Sequence, residues 1–137
     1  MKSGKKNLLV AAGIILVIGV IFVNSHLKYD AFVKKFDFYK AQARGLPMLV
    51  EFGFQACPPC KMMKPILKSL DKEHSDDFAI AYIDTVVNPD LAIQHSIQVA
   101  PTLIFYDKDG NELARTMGYI QKEKILKKWK ELGVIKE

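Results

Sequence analysis

Two cysteines stand three residues apart in the run FGFQACPPCKMMKP, from Phe52 to Pro65, and they are the only two in the chain. A C-x-x-C pair can clip a fold, hold a metal or exchange electrons as a dithiol. As a clip, Cys57 and Cys60 close too short a loop to restrict an unfolded chain much, and two cysteines make no disulfide framework. As a metal site they lack partners: structural zinc takes about four ligands in paired spacings, whereas His26, His74 and His95 are scattered. As a dithiol they have a physical logic. If a strand ends near Phe54 and a helix begins near Pro58, Cys57 lies at a helix N-terminus, where unpaired N–H groups and the helix dipole favour an anion. That lowers a thiol pKa and enriches the nucleophilic thiolate. Pro58 suits the first helical turn, where no N–H is needed. Pro59 further restricts the backbone between the sulfurs, and Lys61 follows at once. Cys60, on the same helical face, can attack a mixed disulfide formed on Cys57.

Two distant residues bear on the pair. Glu51 is a lone carboxylate in an apolar stretch, six positions before Cys57. It is either a solvated acid at a sheet edge or a desolvated acid of raised pKa that handles the Cys60 proton. Pro101, in VAPT (Val99 to Thr102), opens a strand, which is also an ordinary place for a proline.

The elements that must position these residues follow from periodicity. Tyr29 to Ala43 is amphipathic, with Phe32, Phe36 and Tyr39 at helical spacing, and RGLP (Arg44 to Pro47) stops it. Met48 to Phe54 is apolar except for Glu51 and predicts a strand buried on both faces. Pro58 to about Glu73 predicts a helix with Met62, Met63, Ile66, Leu67 and Leu70 on its apolar side and a kink at Pro65. Phe78 to Asp84 predicts a second strand, so the sheet is at least partly parallel. A short helix over Pro89 to Ser96 comes next, then a strand over Thr102 to Tyr106. DKDG (Asp107 to Gly110) turns the chain into a return strand, Asn111 to Met117. Gln121 to Leu132 closes as a helix with Ile125, Leu126, Trp129 and Leu132 facing in.

The chain has 137 residues and a net charge of +5, which suits one small domain. Lys2, Lys5 and Lys6 supply three of those charges, and from His26 onward 17 basic residues face 15 acidic ones. No basic stripe interleaved with aromatics appears, which argues against a nucleic-acid partner. The cluster Lys122, Lys124, Lys127, Lys128 and Lys130 reads as the wet face of the last helix.

Leu8 to Val23 is an uncharged run of 16 residues, apolar on every face, which makes a buried core helix a poor reading. As a helix it spans roughly 24 Å, short for a bilayer core but extendable through Asn7, Asn24 and Ser25, with Lys6 and Lys28 at the interfaces. VNS (Val23 to Ser25) matches a signal-peptidase site only loosely, so the expectation is an uncleaved anchor, with a signal peptide as the alternative. The organisation expected is a basic head (1–7), a transmembrane anchor (8–24), an amphipathic helix and linker (25–45) and a folded domain (46–137). The flanking lysines are nearly even on the two sides, and the expected orientation is N-terminus in, domain out.

The run MLVEFGFQACPPCKMMKPIL resembles the active-site segment of thioredoxins, as strand, C-x-x-C, Lys and helix-borne Pro. Asp84 at the end of the next strand, APT, KDG and Gly118 continue the resemblance, over roughly Leu46 to Leu132. It implies an α/β thioredoxin fold, a central mixed sheet flanked by helices. It implies a thiol–disulfide oxidoreductase with Cys57 as the exposed nucleophile, Cys60 as the resolving thiol, Glu51 at the buried-acid position, and Pro101 as a cis proline beside the sulfurs. The Ala100 backbone would pair with substrate. No metal and no cofactor beyond the Cys57–Cys60 pair is implied. Thioredoxins usually carry tryptophan where this chain has Gly53 and Ala56, and a lysine where it has Ile80. With a membrane anchor, the chain is similar to extracytoplasmic bacterial thioredoxin-like proteins. Those act on protein thiol clients, apocytochrome c among them, and draw electrons from a membrane carrier. The rival readings are a tethered binding or chaperone-like module with incidental cysteines, and a metal or iron–sulfur carrier.

Overall fold

The structure, a computed structural model, describes residues 2–136; Met1 of the expected head and Glu137 lie outside the described residues. The chain divides into two compact units, up to Lys34 and from Lys35 onward. The first is one helix, α1 (Lys2–Lys35), long and apolar enough to cross a membrane. Leu8, Ile15, Leu16, Ile18 and Phe22 are all exposed on it.

The expected amphipathic helix over Tyr29 to Ala43 is divided differently. α1 continues through the apolar run Leu8 to Val23 as far as Lys35, and a separate short helix, α2 (Phe38–Gln42), follows. The break lies at Asp37, which is extended and whose carboxylate accepts a hydrogen bond from Lys40 N at 2.9 Å, capping α2. The aromatic stripe is therefore interrupted: Phe36 is buried, and Tyr39 is 70% exposed.

The second unit is built on β1 (Met48–Gly53), α3 (Pro58–His74), β2 (Ala79–Asp84), α4 (Pro89–Gln94), β3 (Thr102–Tyr106), β4 (Glu112–Met117) and α5 (Lys122–Glu131). The strand order is β2-β1-β3-β4, with β1 parallel to β2 and the other pairs antiparallel. This is the mixed sheet expected. β1, β2 and β3 are buried along their whole length, as continuous apolar runs require, whereas β4 is an exposed edge. At the hairpin, Gly110 has φ +84°, and Asp107 accepts from Asp109 N and Asn111 N.

Alternation sorts the strands into two faces. Met48, Val50, Phe52, Ala79, Ala81, Ile83, Ile104 and Tyr106 share one face with Phe38 of α2, Leu91 and Ile97. Leu49, Glu51, Gly53, Ile80, Tyr82, Leu103 and Phe105 occupy the other. Trp129 of α5 packs there edge-on to Phe105 at 4.8 Å between ring centres. α3 runs through Pro65 and buries Cys60, Met63, Leu67 and Leu70. Met62, expected on its apolar side, is 56% exposed.

Candidate active site

The first turn of α3 follows β1 after only a short loop, which sets the cysteines beyond the C-terminal end of the central strand. Cys57 is the N-cap of α3, with Pro58 and Pro59 opening the helix. Both prolines stand where a helix has no intrahelical use for an N–H. The Cys57 sulfur accepts from Cys60 N at 3.2 Å, and Lys61 N donates to the Cys57 carbonyl. The two cysteines are joined in a disulfide with their Cα atoms 5.3 Å apart. Cys57 is the more exposed residue of the pair, but only slightly: 3% against 0% for Cys60. The expectation of an openly exposed nucleophile is corrected to that extent. The Ala100 carbonyl oxygen lies 3.8 Å from the Cys57 sulfur and covers it. Ala56 and Lys61 are exposed beside it.

The Ala100–Pro101 bond is cis, and the Pro101 carbonyl accepts from Gly118 N at 2.7 Å, holding the loop against the end of β4. Pro58, Pro59, Lys61, Ala100 and Pro101 thus all surround the dithiol or its helix.

Glu51 is no edge acid. It lies on the central strand between β2 and β3, is 0% exposed, and neither carboxylate oxygen has a hydrogen-bond partner among the described residues. Burial pushes its pKa up to about 8, and the Lys64 ammonium opposes that rise. Lys64 is itself pulled down, first by burial, with Glu51 acting the other way. Here the sequence reading missed a residue. The family's usual lysine is replaced by Ile80, which is buried, and the positive charge comes instead from α3. The signal was available: Lys64 is four residues after Cys60 and on its face of the helix.

Gly53 explains a second departure. A Cβ built there would stand 3.1 Å from Cys60 Sγ, 3.1 Å from Tyr82 Oη and 3.2 Å from Glu51 Oε1. A side chain here would crowd all three groups, the Tyr82 phenol reaching the position from the neighbouring strand, and each would have to give by a few tenths of an ångström. Tyr82 also went unremarked in the sequence, since its nearness to Glu51 depends on strand register.

The histidines are occupied elsewhere. His74 pairs with Asp77 at 2.9 Å, and His95 Nδ1 meets the Tyr106 hydroxyl at 2.9 Å. Among the described residues no three His, Cys, Asp or Glu side chains converge as a metal site would require.

A dithiol at a helix start, a cis-proline loop against it and a buried acid behind it, on a β2-β1-β3-β4 sheet, define a redox-active site of one family. The thioredoxin family model matches residues 26–131, and the chain belongs to the thioredoxin family. The match begins upstream of Leu46, where the sequence resemblance was expected to start. The chain is 34% identical over 89 residues to the thioredoxin of Alicyclobacillus acidocaldarius, covering 65% of this chain and 84% of that one. It is 36% identical over 95 residues to the thioredoxin of Chlamydia trachomatis, covering 69% and 90%. Among solved structures, a thioredoxin from Nicotiana alata aligns with a TM-score of 0.59 at 26% identity, over 69% of this chain and 79% of that one. The chain is a thioredoxin-like thiol–disulfide oxidoreductase with its cysteine pair at Cys57 and Cys60.

Proposed function

We propose that this chain is a membrane-tethered reductase of protein disulfides that works outside the cytoplasm. The observation that carries the chemistry is the position of the Cys57 sulfur at the N-terminus of α3, within reach of an amide N–H. In the reduced protein the Cys57 thiolate attacks one sulfur of a client disulfide and releases the other as a thiolate, which takes a proton from water. Glu51 then takes the proton of Cys60, and the Cys60 sulfur attacks Cys57. The Cys57–client bond breaks, the second client thiol leaves, and the Cys57–Cys60 disulfide remains. Two electrons have passed to the client. Ala100 and Pro101 form the wall against which the client chain lies, and a membrane-borne thiol donor restores the dithiol.

The tether is α1, whose length and apolar surface suit a single bilayer crossing. The client class suggested by the resemblance is extracytoplasmic protein thiols such as those of apocytochrome c. Equilibration with glutathione buffers tests the direction of electron flow. A strongly reducing potential is expected, and an oxidising one would reverse the assignment.

A further inference from the structure

Glu51 and Tyr82 are register partners on the parallel strands β1 and β2, so their side chains leave the same face of the sheet side by side. Tyr82 is 2% exposed. Its hydroxyl, Glu51 Oε1 and Cys60 Sγ are 3.1, 3.2 and 3.1 Å from one point, the site of the missing Gly53 Cβ. Adding those radii in pairs places the hydroxyl within 6.3 Å of the carboxylate oxygen and within 6.2 Å of the sulfur. Among the described residues the two carboxylate oxygens have no hydrogen-bond partner with Cys57 and Cys60 joined. A buried carboxylate without a donor is costly.

We propose that Tyr82 is a positioning residue for the redox reaction: its phenol serves the ionised Glu51 carboxyl as hydrogen-bond donor when Glu51 handles the Cys60 proton, and Gly53 leaves the space this requires. This deepens the role given to Glu51 above and rests on it. In the step itself the Cys60 S–H bond breaks and a Glu51 O–H bond forms. Tyr82 keeps its own proton throughout and donates to the carboxylate before transfer. A donor to the charged form stabilises it, so the phenol holds the Glu51 affinity for protons lower than burial alone would set. Other groups act on the same carboxyl. Lys64 on α3 opposes its protonation, Asp84 on β2 lies two residues beyond Tyr82 as the register partner of Gly53, and β3 offers only the apolar Leu103 as strand partner.

The test is the pH profile of disulfide reduction by the full chain, with Tyr82→Phe and Glu51→Gln compared with wild type. Tyr82→Phe keeps the ring. The expected result is an alkaline inflection that moves to higher pH in Tyr82→Phe, by about threefold to tenfold in proton affinity. The inflection should vanish in Glu51→Gln, and the double variant should match Glu51→Gln alone. An unmoved inflection in Tyr82→Phe, with loss in Glu51→Gln, overturns the Tyr82 assignment and leaves Glu51 standing. An inflection that survives Glu51→Gln overturns both. If Tyr82→Phe does not fold, 3-fluorotyrosine at position 82 supplies a stronger donor of nearly the same shape. The inflection should then move to lower pH, and an unchanged one overturns the proposal.

Discussion

The Cys57 sulfur accepts a hydrogen bond from the backbone N–H of Cys60 at 3.2 Å, so the first turn of α3 caps itself with its own reactive atom. In the reduced chain that contact and the helix dipole favour the Cys57 thiolate, while Cys60 is fully buried in the turn. Iodoacetamide at neutral pH should therefore alkylate Cys57 well before Cys60 and faster than a free cysteine. Mass spectrometry of timed samples checks this. Equal rates at both positions would remove the basis for assigning their roles.

Glu51 gives stability a definite pH dependence. Its folded-state pKa of about 8 lies above the ordinary carboxylate value, so the folded chain binds the extra proton between the two. Stability is then full below the ordinary carboxylate range and declines as pH rises through about 8. The loss is on the order of 5 kcal/mol. Glu51→Gln, neutral at every pH, should unfold at higher denaturant than wild type above pH 8 and show a flatter profile. Urea titrations across the range read this directly.

Lys64 should prove to be the electrostatic partner of Glu51. Lys64→Met removes the charge that opposes protonation, so the Glu51 carboxyl should titrate higher than in wild type. Because Lys64 is half-buried, added salt should weaken the effect only in part. Carbon-13 NMR of the Glu51 carboxyl measures both, and an unshifted titration would count against the pairing.

Gly53→Ala presses one methyl group against Cys60, Tyr82 and Glu51 at once. Overpacking of this kind costs about 1 to 3 kcal/mol, only partly offset by roughly 0.4 to 1 kcal/mol of lost unfolded-chain entropy. The variant should melt below wild type and reduce disulfides more slowly. A melting temperature at or above wild type would show that the space is less tightly held than these distances indicate.

Much of the fold could be read from local pattern. The apolar runs around Val50, Ala81 and Ile104 are strands because they are buried on both faces, and C-x-x-C with Pro101 at thioredoxin distance located the site. What escaped the sequence depends on long-range geometry. Tyr39 fits a helical stripe, but Asp37 interrupts the helix and resets its phase. Met62 is as apolar as Met63, yet the turn of α3 points it outward. Tyr82 meets Glu51 only through the β1–β2 register, and Lys64 reaches it only through the packing of α3 on the sheet. The glycine at position 53, in place of the family tryptophan, becomes intelligible once the phenol from the next strand is seen beside it.

The most direct measurement is insulin disulfide reduction by the full chain and by Cys57→Ser. Reduction by the wild type and loss to background in the variant are predicted. Wild-type turnover by Cys57→Ser would contradict the assignment of Cys57 as the nucleophile.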